Sequence, residues 1–212
     1  MANNQFGRGL VSYFNMNEGT GSVAYDCSGR NNTGTVALAP TWTTGKKGKC
    51  LSFGASQRIM INNPLTTSKS AFTFSFWTYQ TGGGNRCMLS MGGSNDSGAI
   101  YAGSAGTLNF VYYSGGFRMN IANQFTLNTW YHVTLVGDGA ADGARTLTLY
   151  MNGIPIGTPT IYNYAFSVGG LWAIGANQSL FSENTTGKID DVRIYNRALS
   201  QQEITSLYNS YR

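Results

Sequence analysis

The chain has 212 residues and a net charge of +5, and only 11% of its residues are charged, against about 25% in an ordinary soluble domain. Its 42% apolar content excludes disorder, and 28 glycines against 4 prolines point to a loop-rich β-protein. No apolar run approaches the ~20 residues of a membrane helix, no apolar core of a signal peptide opens the chain, and no basic-aromatic interleaving marks a single-strand nucleic-acid surface.

The length suits one all-β domain. Residues 1–8 read as a polar arm and 9–212 as a single domain. Leu10 to Phe14 is a first strand, followed by a polar loop from Asn15 to Asn32. Short strands follow at Gly34 to Leu38, Lys49 to Phe53 and Arg58 to Ile61. The cluster Lys46, Lys47 and Lys49 reads as a solvated turn. Phe72 to Tyr79 is the clearest strand, with Phe72, Phe74 and Phe76 on one face and Thr73, Ser75 and Trp77 on the other. Cys87 to Met91, Ala99 to Tyr101, Thr107 to Tyr113 and Phe117 to Ile121 read as a meander. In Trp130 to Val136, Tyr131, Val133 and Leu135 are in phase, and His132 is out of phase as a surface or packing residue. Arg145 to Met151 and Ile154 to Thr158 flank Asn152-Gly153, which predicts a two-residue type I′ hairpin. Leu171 to Gly175 and Gly187 to Tyr195 close the strands. Ser200 and Glu203 then form a capping box, and Ile204, Leu207, Tyr208 and Tyr211 make the apolar stripe of a short helix. Short strands with turn signals and no intervening helices predict an antiparallel two-sheet β-sandwich.

Ordered landmarks carry a family resemblance: Leu10-Val-Ser-Tyr-Phe, Asn17-Glu-Gly-Thr-Gly, Asp26-Cys-Ser-Gly, Leu51-Ser-Phe-Gly, Phe72-Thr-Phe-Ser-Phe-Trp, Trp130-Tyr-His-Val-Thr-Leu, Leu149-Tyr-Met-Asn-Gly and the segment from Gly187 to Ile204. Together they resemble laminin-G-like jelly rolls of the concanavalin A-like lectin/glucanase superfamily. The resemblance implies a concanavalin A-like sandwich with a short C-terminal helix. It also implies structural calcium near the opening loop and the last strand, with Asp26, Asn31 and Asp190 as ligands and Glu18 as a weaker one. Alternation puts Asp190 in phase with Val192 and Ile194, toward the sandwich end and the Asp26 loop, and sends Asp191 to the opposite face. A buried carboxylate without calcium needs N–H donors instead.

Sugar rings stack on exposed aromatic faces, so Tyr113, Phe117, Tyr162, Tyr164 and Trp172 are the candidate glycan platform. Catalysis is not expected. The glycanases of the superfamily carry E-x-D-x-E-type pairs, and a retaining enzyme needs two carboxyls about 5–5.5 Å apart. This chain has neither spacing. Three cysteines leave at least one free thiol, and Cys27 and Cys50 could pair. The reading is a lectin-like binding or display module, extracellular or on a virion or phage surface. Its arm from Ala2 to Arg8 is expected to grip a second copy or a capsid or tail neighbour. An adhesion module cut from a larger secreted protein is the alternative, and a glycoside hydrolase the remote one.

Overall fold

The computed structural model describes residues 6–62, 64–65, 71–92, 98–112, 117–139, 145–162, 170–177 and 183–211. Two antiparallel sheets face each other. The first runs through β14 (Ile154–Tyr162), β13 (Arg145–Met151), β12 (Trp130–Asp138), β7 (Phe72–Gln80), β16 (Gly187–Tyr195), β5 (Lys49–Phe53) and β4 (Thr41–Thr44). In the same sheet β1 (Leu10–Phe14) pairs with the later part of β16. The second runs through β11 (Phe117–Ile121), β10 (Leu108–Tyr112), β9 (Gly98–Ala102), β8 (Arg86–Met91), β15 (Leu171–Ile174), β6 (Arg58–Asn62), β3 (Gly34–Ala37) and β2 (Val23–Ala24). This is the expected jelly-roll sandwich. No helix among the described residues is long and apolar enough to cross a membrane.

Alternation builds the core. Phe72, Phe74 and Phe76 of β7 and Val133 and Leu135 of β12 point between the sheets and meet Ile59, Met88, Ile100 and Phe110 from the other side. Each such side chain contributes about 1.5–3 kcal/mol on burial. The predicted hairpin forms between Met151 and Ile154, with Asn152 at φ 51° and Gly153 at φ 79°, as a type I′ turn requires.

The outer face of the first sheet is covered by helix α1 (Gln201–Asn209). Ser200 caps it: its hydroxyl accepts from the Glu203 N–H (3.3 Å), and the Glu203 carboxylate accepts from the Ser200 N–H (2.9 Å). Ile204 and Leu207 bury against Val136, Tyr195 and Leu199. Tyr208 and Tyr211 lie over Trp77 at ring distances of 5.6 and 5.8 Å. His132 lies beneath the same cover and bonds the Ser75 hydroxyl (2.8 Å), so it is a packing residue. Burial, helped by Arg193, pushes its pKa down to about 3.

The described end of the arm makes contacts with the domain. Phe6 packs against the helix cluster, and the Arg8 carbonyl accepts from Arg197 Nε (2.8 Å). The rest of the arm lies outside the described residues. Cys27, Cys50 and Cys87 are free thiols, so Cys27 and Cys50 are not paired.

Candidate functional site

The site begins with a departure from alternation in β16. Asp190 is opposite Trp77 and Arg193 is opposite Ser75, so Asp191 and Val192 together occupy the step of Phe76. Asp191 takes φ 56° to make this bulge. Ile189, Val192 and Ile194 all keep to the core. Asp190 pairs across to Trp77 and Arg193 to Ser75, both on the outer face. The expected phase is corrected: Asp190 does not point into the sandwich with Val192 and Ile194, because the extra residue shifts the count by one. Asp190 and Asp191 therefore come to one pocket rather than to opposite faces.

Each carboxylate has its own partners. Asp190 Oδ2 accepts the N–H groups of Lys46 (2.9 Å) and Lys47 (3.4 Å) from the turn between β4 and β5. Two of its lysines lie over aromatic rings, with half-buried Lys46 Nζ 4.7 Å from the Trp77 ring and exposed Lys47 Nζ 5.3 Å from the Tyr211 ring. The turn is solvated at Lys47, Gly48 and Lys49, as expected, while its backbone amides form a nest for a buried acid. Asp191 pairs with Arg193, whose guanidinium lies 4.2 Å from the Tyr13 ring and donates to the Tyr211 hydroxyl (3.2 Å). One ionic cluster thereby ties the first strand, the last strand and the chain end together.

The electrostatics follow from burial. Asp190 is 1% exposed, and desolvation, then the neighbouring Asp191, raises its pKa to about 7; the turn amides offset part of this. Burial opposes the Arg193 cation, but Asp191 and the two tyrosines outweigh it and raise its pKa further. Burial and then Asp191 also raise the Tyr13 and Tyr211 phenols, which stay protonated and able to donate.

Above these groups lies a pocket of about 200 Å³. Tyr13, Tyr211, Lys47 and the two aspartates line it with Asn15 and Asn17. Met16, at φ 52°, is fully buried, and the residues on either side of it turn to the pocket. Asn15 Oδ1 accepts from the Asn17 N–H (3.1 Å), and Asn17 Oδ1 accepts from the Lys49 N–H (2.8 Å). These bonds fix both amides and leave their NH₂ groups as donors.

The expected calcium site does not assemble. Asp26 Oδ1 accepts the N–H groups of Tyr13 and Ser28 (both 2.9 Å), and Oδ2 accepts the Ser28 hydroxyl and the Asn32 N–H (both 2.8 Å). Four donors occupy the lone pairs that a cation would use. Asn31 is exposed at φ 60°, and the neighbouring Asn32 provides the N–H. Glu18 accepts the Tyr25 N–H (2.7 Å). Asp190 meets the lysine turn instead of the Asp26 loop. Among the described residues no group of three or more His, Cys, Asp or Glu side chains is arranged to hold a metal ion. N–H groups meet the carboxylates of Asp26 and Asp190 where calcium was expected.

The aromatic platform fares differently residue by residue. Trp172 is 2% exposed and meets Phe74 edge-on at 5.4 Å, so it is a core residue and no ligand platform. Tyr113 and Tyr164 lie outside the described residues. Phe117 and Tyr162 lie in β11 and β14, and their side chains lie outside the described residues. Sequence reasoning missed Tyr13, Asn15, Asn17, Lys47, Asp191 and Tyr211 as a group. The adjacent Asp190-Asp191 and the lysine run were the available signals.

A family profile described as the concanavalin A-like lectin/glucanases superfamily, in its laminin-G group, matches residues 53–205. The chain belongs to that superfamily. Solved structures resemble this superfamily member along nearly its whole length. Domain 4 of AbnA, an extracellular GH43 arabinanase from Geobacillus stearothermophilus solved with arabinotriose, aligns at 19% identity and a TM-score of 0.70, covering 94% of this chain and 98% of that one. The binding domain of Paraclostridial Mosquitocidal Protein 1 aligns at 20% identity and 0.68, covering 98% and 53%. A botulinum neurotoxin type C structure, whose cell entry is described as dependent on two ganglioside molecules, aligns at 18% and 0.70, covering 98% and 52%. The superfamily member thus spans about half the length of these toxin chains. At such identities the likeness establishes the fold. No curated protein sequence matches the chain significantly.

Proposed function

We propose that this chain is a non-catalytic, lectin-like module that binds one saccharide unit of a glycan in the Asp190–Asp191 pocket. The observation that carries the reading is the pocket's prearranged polar lining: acceptors from two aspartates, amides from Asn15 and Asn17, an ammonium from Lys47 and the phenols of Tyr13 and Tyr211. Alternating donors and acceptors around one small volume suit the hydroxyls of a sugar ring. The arabinotriose held by the arabinanase domain, and the gangliosides named for the botulinum neurotoxin, support the same ligand class on this fold. Hydrolysis is disfavoured by the carboxylates themselves. Asp190 and Asp191 are 1% and 2% exposed, and one oxygen of each is engaged by N–H or guanidinium donors, a setting that suits accepting a hydroxyl better than attacking a glycosidic carbon. In this reading the module acts where glycans are displayed, outside a cell or on a particle surface, a setting its low charge and glycine-rich loops suit.

A glycan array tests the reading. Binding to a defined saccharide is expected, and Lys47→Ala or Asn17→Ala should weaken it by about fivefold or more, the effect of one lost hydrogen bond. An array with no bound glycan, or binding indifferent to both substitutions, overturns it.

A further inference from the structure

A second cavity, of about 240 Å³, opens where β7 ends at Gln80. Its walls come from Gln80, Gly82 and Gly83 on one side, from the loop after β9 on another, and from Phe125 and Leu127 on a third. Among the described residues no charged side chain lines it. Gln80 is 2% exposed, with Nε2 bonded to Thr78 Oγ1 (2.6 Å), while its amide oxygen is buried without a partner. Buried polar atoms are almost always paired, so this oxygen, on a residue of the cavity wall, is the polar group that a bound molecule could satisfy. A water needs two to four polar partners, and this lining is mainly glycine, alanine and hydrocarbon.

The walls are rigid. Gly106 has φ +71° with the Phe125 carbonyl so close that no Cβ fits, and its own carbonyl accepts the N–H groups of Gln124 (2.7 Å) and Phe125 (2.9 Å). Phe125 is fixed further by Tyr131, edge-on at 5.3 Å. Leu127, 44% exposed, stands at the mouth, and a Cβ added to Gly83 would meet nothing within 4 Å.

We infer that this cavity is a binding site for a small uncharged group with an apolar ring and one hydroxyl, the hydroxyl bonding to the Gln80 amide. A hydroxyl serves in either amide orientation, since it donates to the oxygen or accepts from the nitrogen. A charge is disfavoured because no described residue of the wall would pair it. The size is right for one ring: a dry cavity of about 150 Å³ takes benzene.

The test is a titration of ¹⁵N-labelled protein with phenol and, separately, benzene, followed by amide shifts. Saturable shifts are expected at Gly82, Gly83, Gly103 and Gly106, with phenol binding about fivefold tighter than benzene. Gln80→Leu should abolish that preference and keep benzene binding. Gly83→Leu, placed in open space, should narrow the mouth and weaken both. The proposal is overturned if neither probe gives saturable shifts there, if wild type binds the two equally, or if Gln80→Leu keeps the preference. Should Gln80→Leu fail to fold, the Gly83→Leu result decides: unchanged affinity for both probes overturns the site.

Discussion

Replacing Asp190 by Asn should make this protein more stable at pH 8 and leave it nearly unchanged at pH 4. In the unfolded chain Asp190 loses its proton near pH 3.8; in the folded chain, buried beside Asp191, it keeps the proton to about 7. Between those values the folded state binds a proton that the unfolded state does not, so stability falls as pH rises. Below 3.8 both states are protonated and nothing is lost. Above about 7 the whole loss is in place. Each unit is worth 1.36 kcal/mol, which puts the ceiling near 4 kcal/mol. Asparagine imitates the protonated acid and still accepts from the Lys46 and Lys47 amides. Its unmatched N–H takes back about 1 kcal/mol, leaving ~3 kcal/mol of gain at pH 8. Denaturant unfolding of both proteins at pH 4, 6 and 8 measures this directly. Other titrating groups, His132 among them, are common to both proteins and cancel in the difference. A variant less stable than wild type at pH 8, or a difference constant across pH, refutes the reasoning.

Ser200→Ala removes half of the capping box and should cost about 1 kcal/mol, a fall of roughly 2–4 °C in Tm by calorimetry. Because N–H and O–H groups fill the Asp26 carboxylate, Tm should be the same in millimolar calcium and in chelator; a drop in chelator would restore the calcium site. Cys27 is exposed while Cys50 and Cys87 are fully buried, so a thiol reagent should label one cysteine per native chain and all three after unfolding.

The fold was legible because its signals are local and redundant. Phe72, Phe74 and Phe76 announce a strand with one core face, Asn152-Gly153 dictates its turn, and Ser200 with Glu203 marks the helix start. Short strands at the margins were not legible. Thr41–Thr44 is a partly exposed edge strand with no apolar alternation to read, and Val23–Ala24 is only a bridge-length pairing inside a polar loop. The pocket was hidden for a different reason. Period-two counting assumes that each residue advances the strand by one step, and the bulge at Asp191 breaks that assumption where the carboxylates sit. Nothing local tells that Lys46 and Lys47 will offer their amides to an acid 144 and 143 residues away. Trp172 misled because an aromatic residue looks the same in sequence whether it faces a sugar or Phe74.

The central claim is that saccharide binds at the Asp190–Asp191 pocket. The most direct measurement is an amide and side-chain NH₂ shift map of ¹⁵N-labelled protein titrated with the saccharides that score on an array, arabinotriose included. The account predicts saturable shifts grouped at Asn15, Asn17, Lys47, Gly48 and Asp191. Saturable binding whose shifts fall elsewhere, with these residues unmoved, contradicts it.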